Sequence, residues 1–205
     1  MIIEPEGLDN LEAYRLLISL IVPRPIAWVT SLSPDGVVNA APYSFFSGVR
    51  SKPPVISISA GYGKRGEKDT PRNIAATGEF VVNLVGEHQA DQMNRTATEY
   101  PFGVSETEVL GIEVAASQTV GVPRIAASPA ALECKLDRIV PVGDPPASLI
   151  LGEVLAYWVS DDVEWDRAEG IDPKSLNVIG RLQLDSYLRI TETFSMERVR
   201  YKPQD

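Results

Sequence analysis

Cysteine and histidine are almost missing from this chain of 205 residues: each occurs once, as Cys134 and His88. One cysteine cannot close an intrachain disulfide, and one residue of each kind cannot build a zinc shell. A serine hydrolase triad would have to use His88, and there is no Gly-x-Ser-x-Gly elbow to present a nucleophile. Cys134 lies in Ala131-Leu132-Glu133-Cys134-Lys135-Leu136, an alternating context that suits a small buried core residue. Long apolar runs are also lacking. The longest near the start, residues 16–22, falls well short of the roughly 18 residues that a membrane span needs. Met1-Ile2-Ile3-Glu4-Pro5-Glu6 has neither the basic start nor the apolar core of a secretory signal. A reducing cytoplasm, away from membranes, is the expected location. The acid-rich Asp161-Asp162-Val163-Glu164-Trp165-Asp166 lacks the spaced ligands and glycine of a calcium loop and reads as solvated surface. Neither a metal site nor a side-chain catalyst is expected.

What is present is ordinary globular composition, 44% hydrophobic and 23% charged, with a net charge of −9. That balance argues against nucleic acid as a partner. The charge is uneven. Residues 20–75 carry seven basic side chains (Arg24, Arg50, Lys52, Lys64, Arg65, Lys68, Arg72) against three acidic ones, a local +4 that leaves −13 for the rest. A small anionic ligand belongs with that basic third, unless it is only solvated surface.

Hydrophobic spacing predicts a helix over residues 8–20 with Asp9-Asn10 as its cap. Residues 26–32 and 37–41 read as a hairpin around Ser33-Pro34-Asp35-Gly36. Tyr43-Ser44-Phe45-Phe46-Ser47 is compact and aromatic. Residues 55–60 form a strand, and a short helix opens at Asp69 or Thr70 and stops at Gly78. Further strands are expected over 80–85, 132–140 and 149–159, and a polar helix over 87–98. The stretches 107–118 and 184–200 give no clear pattern. Short strands between Pro/Gly turns, with few long helices, indicate an all-β barrel with helical decorations. No repeat or linker divides it, so one domain over 1–205 is expected, with its core over about 20–200 and a helical lead-in over 1–22.

Gly61-Tyr62-Gly63-Lys64-Arg65-Gly66 is a literal GxGxxG after a strand, with Glu87 downstream in the place of a ribose-binding acid. A dinucleotide helix starting inside that motif would hold Pro71 in its interior, at a cost of about 3 kcal/mol. Started at Pro71, the helix is too short for a parallel crossover. The neighbouring Lys68-Asp69-Thr70-Pro71-Arg72-Asn73 has a better use. A helix start with free N–H groups, a hydroxyl and flanking cations binds phosphate, though it can equally be a plain cap.

Four ordered segments then carry a resemblance: Pro23-Arg24-Pro25-Ile26-Ala27-Trp28-Val29-Thr30; Asn39-Ala40-Ala41-Pro42-Tyr43-Ser44-Phe45-Phe46-Ser47; Lys68-Asp69-Thr70-Pro71-Arg72-Asn73-Ile74; and Gly78-Glu79-Phe80-Val81-Val82-Asn83-Leu84. Pro123-Arg124-Ile125, Leu132-Glu133-Cys134, Leu151-Gly152-Glu153-Val154 and Gly180-Arg181-Leu182 extend it. Together they resemble the flavin reductase-like, FMN-binding split-barrel family. The resemblance implies a mainly β fold, a six-stranded Greek-key split β-barrel with a few short peripheral helices, assembled as a homodimer with FMN near the interface. It implies that Asn39, Ala41, Pro42, Tyr43, Ser44, Phe45, Phe46 and Ser47 line the ring and ribityl chain. Ser59, Ala60 and Gly61, with Lys68, Asp69 and Thr70, would hold the phosphate end, and Arg181 and Arg24 would lie near the cofactor. Ser47 stands where relatives commonly carry asparagine, and its reach is shorter. At least one of Tyr43, Phe45 and Phe46 is expected to be plain core.

The implied activity is an NAD(P)H:flavin oxidoreductase that passes hydride from a nicotinamide to flavin N5, with FMN (or FAD or riboflavin) as cofactor and NAD(P)H as co-substrate. Reduced flavin would then feed a partner monooxygenase or stay bound. Two other readings stand beside it: an FMN-binding electron carrier with no NAD(P)H activity of its own, and a flavin-independent ligand-binding barrel.

Overall fold

The computed structural model describes residues 1–199 and residue 201. Helix α1 (Asn10–Leu20) opens with a full capping box: the Asp9 carboxylate accepts from the Leu11 and Glu12 N–H groups, and Glu12 returns a bond to the Asp9 N–H. That satisfies donors a helix start otherwise leaves free. The strands that follow are β1 (Ala27–Leu32), β2 (Val38–Tyr43), β3 (Phe46–Ser51) and β4 (Pro54–Ala60). Helix α2 (Asp69–Thr77) ends on Gly78, whose φ of 75° is the left-handed stop that glycine adopts without strain. Strand β5 (Glu79–Asn83), helices α3 (Ala90–Arg95) and α4 (Glu106–Leu110), long strands β6 (Ala130–Val142) and β7 (Ala147–Val159), and the small pair β8 (Ile179–Arg181) and β9 (Tyr187–Arg189) complete the order.

Seven strands form one antiparallel sheet in the order β2-β1-β5-β6-β7-β4-β3, where the resemblance implies six. The additional member is β3, an exposed edge strand containing Gly48 and Arg50. It takes its strand form from pairing with β4 rather than from its own composition. Strands β2 and β3 lie at opposite ends of this order, yet only Ser44 and Phe45 separate them in sequence. The sheet must therefore curl until its edges meet. The Ser59 N–H donates to the Phe45 carbonyl at 2.8 Å, which carries the β3–β4 pairing one residue into the Ser44–Phe45 link.

The barrel interior holds Ala27, Val29, Tyr43, Ile56, Ile58, Ile74, Phe80, Val82, Cys134 and Ile150. Gly152 faces the Phe80 ring so closely that any Cβ there would collide with it. Strand β1 is buried on both faces. Val29 points into the barrel, while Trp28 packs outside it with Met93, Ile112 and Ile125 and donates its indole N–H to Thr96 Oγ1 at 3.0 Å.

Several sequence expectations shift at their edges. Residues 87–98 form a single 3-10 turn followed by α3, which stops at Arg95. The unassigned 107–118 region contains the last part of α4 and a two-residue pairing of Val114–Ala115 with Arg124–Ile125. The acid-rich segment turns over a small hairpin in which Asp166 accepts from the Ala168 and Glu169 N–H groups. Within 184–199, β9 is the regular element among the described residues, and Arg200 lies outside them. The GxGxxG segment is a tight reverse turn, with Gly63 and Gly66 exchanging backbone hydrogen bonds at 2.9 and 3.1 Å; the helix begins only at Asp69.

Candidate functional site

Two cavities flank the segment Pro42-Tyr43. The first, about 310 Å3, lies between the start of α2, strand β2, the Gly63–Glu67 side of the glycine loop, residues 96–102 and α4. The second, about 300 Å3, lies between α1, Pro42–Ser44, α3 and the β8–β9 pair. Pro42, Tyr43 and Ala97 line both, so the two spaces share a wall. Each is at the lower end of the range for small-molecule sites.

At the first cavity, α2 starts with no side-chain cap on its N-terminal N–H groups, and Lys68 occupies the cap position. Uncapped helix donors next to an ammonium suit an anion. The Lys68 ammonium lies 5.7 Å from the centre of the Tyr43 ring. Tyr43 is buried, and its hydroxyl, beside Thr70, has no hydrogen-bond partner among the described residues. Burial pushes that phenol well above its usual range, opposed by the neighbouring Thr70 side chain and reinforced by the charges of Glu106 and Asp69, so the hydroxyl stays protonated and can donate to a ligand. An unpaired buried hydroxyl costs on the order of 1–3 kcal/mol unless a ligand satisfies it.

Thr70 behaves differently from the sequence expectation. Its hydroxyl donates to Asn39 Oδ1 at 2.9 Å, so its proton is committed inside the protein; its backbone N–H belongs to the uncapped turn. Asn39 is held in turn by Glu106, whose Oε2 accepts from Asn39 Nδ2 and from the Ala40 N–H, each at 2.9 Å. Glu106 is 4% exposed and lines the cavity. Burial raises its pKa above the usual carboxylate range; the Ala40, Asn39 and own-backbone hydrogen bonds oppose that rise, and the charge of Asp69 adds to it. Sequence reasoning missed Glu106. The signal that could have found it is Ser105 with Glu108 three residues on, a capping pattern realised here as the Ser105 hydroxyl accepting from the Glu108 N–H. Asp69 pairs with Arg72, whose guanidinium stacks on the Phe102 ring, 3.2 Å from its centre. Arg72 was expected here only as a flanking cation of the helix start, and Phe102 was not expected at all.

Arg24 is also employed within the fold. It is 4% exposed, and its guanidinium donates to the carbonyls of Ile18 (2.7 Å), Ile21 (2.5 Å) and Leu182 (2.6 Å) and to Ser44 Oγ (3.3 Å). It therefore fastens the C-terminal turn of α1 to the β2–β3 link while lining the second cavity. Arg181 lines that cavity too, donating to the Tyr187 hydroxyl and the Leu184 carbonyl.

The structure thus brings Asn39, Ala41, Pro42, Tyr43, Lys68, Asp69 and Thr70 to the first cavity and Arg24, Pro42, Tyr43, Ser44 and Arg181 to the second. Phe45 is exposed beside Arg24, Phe46 packs against the barrel core, and Ser47 is exposed on β3. Ser59, Ala60 and Gly61 line neither cavity; Ala60 is buried in the core. Among the described residues no cluster of three or more His, Cys, Asp or Glu side chains is arranged for a metal, and no helix is long and apolar enough to cross a membrane.

The chain is similar to nitrilotriacetate monooxygenase component B from Bacillus cereus, with 34% identity, a TM-score of 0.91 and coverage of 96% of this chain and 98% of that one. It is similar to the Pseudomonas fluorescens 2-nitrobenzoate 2-nitroreductase NbaA, with 33% identity, a TM-score of 0.84 and coverage of 100% and 99%. A putative flavin reductase with a split barrel domain from Shewanella frigidimarina shares the fold at 19% identity, with a TM-score of 0.81 and coverage of 98% and 100%. Residues 19–169 match a family described as the flavin reductase like domain. The chain belongs to that family.

Proposed function

We propose that this chain is an FMN-dependent oxidoreductase, with the flavin phosphate at the start of α2 and the ring system along Pro42, Tyr43 and Ser44 toward the second cavity. The observation that carries this reading is the uncapped α2 N-terminus opening on a cavity beside Lys68 and the unpartnered Tyr43 hydroxyl. These donors fit a phosphate monoester, which offers acceptors and negative charge but no obligatory donor. Pro42, Tyr43 and Ala97 offer flat apolar surface at the junction of the two cavities, as a fused ring system requires.

Bound FMN would supply a hydride acceptor at flavin N5, with a reduced nicotinamide dinucleotide as donor. The protein's contribution is placement. The α2 N–H groups and Lys68 hold the anionic end, Pro42 and Tyr43 support the ring, and Arg24 fixes Ser44 against α1. Holding reactants within about 3–3.5 Å accounts for much of what a scaffold adds to hydride transfer. No general acid or base is asked of a side chain. A second copy of the chain, covering the exposed Phe45 and Ser47 side of the seam, completes the proposal. Release of reduced flavin to a separate monooxygenase fits the similarity to a monooxygenase component.

The test is the visible spectrum of the purified protein with and without FMN, followed by NADH and NADPH oxidation with FMN as acceptor. The expected result is a bound-flavin band and flavin-dependent oxidation of one nucleotide. FMN binding without nucleotide oxidation would favour the carrier reading. A colourless protein with no FMN affinity better than millimolar would remove the flavin reading altogether.

A further inference from the structure

Among the described residues Glu106 is the one buried carboxyl that faces the first cavity, and it sits where an anion is proposed to bind. Around it, β2 contributes Asn39, Ala40 and Tyr43, and α2 with its cap position contributes Lys68, Asp69, Thr70 and Arg72. The two adjoining loops contribute Arg65, Glu67, Glu99 and Tyr100, while Glu108 on its own helix is exposed. None of the cations among these forms a salt bridge with Glu106; Arg72 is paired with Asp69. The carboxyl is instead held by neutral donors: the Asn39 amide, the Ala40 N–H and its own backbone N–H.

Two consequences follow. First, because Glu106 accepts from Asn39 Nδ2, the Asn39 amide must turn its oxygen toward Thr70, and this draws the Thr70 hydroxyl proton away from the cavity. Glu106 thereby sets the hydrogen-bond polarity of the anion end. Second, a dianionic phosphate at the α2 start would join Glu67, Asp69, Glu99 and Glu106 as a fifth acidic group in one partly enclosed space. Like charges in such a space favour protonation of the most buried one.

We propose that Glu106 is a positioning residue for the anion end of the cavity, fixing the orientation of Asn39 and Thr70 and taking up a proton when a phosphate-bearing ligand binds. The proposal builds on the phosphate placement above but concerns the anion end alone, so it can stand or fall separately from the flavin. The raised pKa of Glu106 in the free protein agrees with this arrangement. Linkage gives the sign. If Glu106 is ionised in the free protein and protonated in the complex, affinity falls as pH rises between the two pKa values, by up to about tenfold per pH unit.

Calorimetric titration tests this with three probes, FMN, riboflavin and orthophosphate, run from mildly acidic to mildly alkaline pH in buffers of different ionisation enthalpy. The wild-type protein and Glu106→Gln are compared, with thermal melts confirming that the variant is folded. Glutamine keeps an acceptor for Asn39 and Ala40 and removes the charge. The expected result is proton uptake with FMN and orthophosphate but not riboflavin in the wild type. In Glu106→Gln that uptake is lost, and phosphate-bearing ligands bind more tightly on the alkaline side. Because the free ligand's phosphate titrates identically in both experiments, the difference between the two proteins reports Glu106 together with its coupling to the bound phosphate. Parallel pH profiles for the two proteins would overturn the proposal, as would an equal change for riboflavin. Glu106-linked orthophosphate binding with no flavin binding would remove the flavin reading and leave this one standing. Failure of the wild-type protein to bind either phosphate-bearing probe would overturn both.

Discussion

Glu106 and Glu133 are both buried carboxylates, and their surroundings treat them in opposite ways. Glu133, on β6 and 1% exposed, accepts from the Gln118 N–H, the Thr119 N–H and the Thr119 hydroxyl, with distances of 2.6–3.0 Å. Burial alone would raise its pKa, but these bonds and the charge of Arg124 outweigh that, and the net direction is down. The loop it anchors buries Val120 and Val122 against Val81 and Ala131, and Arg124 lies over the Trp158 ring, 3.6 Å from its centre. Glu106 has fewer donors from other residues, no salt bridge, an acidic neighbour and open space in front of it. A saturated carboxylate closes a fold locally. An undersupplied one beside a cavity leaves the region responsive to what enters.

The largest expected effect breaks the saturated side. Glu133→Ala strands three donors of the 118–119 turn, partly rehydrated because that turn is exposed, and should cost about 2 kcal/mol of stability in denaturant titration. FMN affinity should not change. A variant that loses FMN affinity at full stability would erase the distinction between the two regions. Next, Lys68→Ala on the cavity side should weaken FMN about tenfold, roughly 1.4 kcal/mol, with riboflavin affinity and melting temperature nearly unchanged. Equal losses for both flavins would move the phosphate elsewhere.

Smaller effects sharpen the contrast. Tyr43→Phe removes a hydroxyl that has no partner, so the ligand-free protein should be as stable as wild type or up to about 1 kcal/mol more stable, whereas Thr119→Val should lose about 1 kcal/mol. Thermal melts of the two variants side by side decide this. The smallest expected effect is a pair of opposed pH slopes. The lowered pKa of Glu133 means its contribution is complete above the ordinary carboxylate range and is lost as pH falls through its folded value. The raised pKa of Glu106 means its contribution is complete below that range and is lost as pH rises through its folded value. Glu133→Gln should therefore flatten the acid limb of the stability profile, and Glu106→Gln the limb above it.

Where local chemistry decides structure, the sequence could be read. Pro34-Asp35-Gly36 placed the first hairpin, Pro71 and Gly78 bounded α2, and Pro71 also ruled out the GxGxxG reading. Strand β3 was illegible because its residues are exposed and become a strand only by pairing with β4. The Ser105 cap marks the start of α4, but the burial of Glu106 was illegible because it depends on α4 packing against β2, 67 residues away in sequence. Charge drew Arg24 toward an anion, and in the fold its guanidinium is occupied by carbonyls at the end of α1 and at Leu182. Thr70 was correctly placed at a helix start, but the destination of its hydroxyl proton depended on Asn39, a partner in another element.

The seam between β2 and β3 has one more implication. Ser44 and Phe45 are the hasp that shuts the barrel, and the proposed ring site rests on its face. A molecule seated there would clamp both rims of the sheet together. Its arrival should be felt as slower amide exchange along the whole of β3, including residues it never touches.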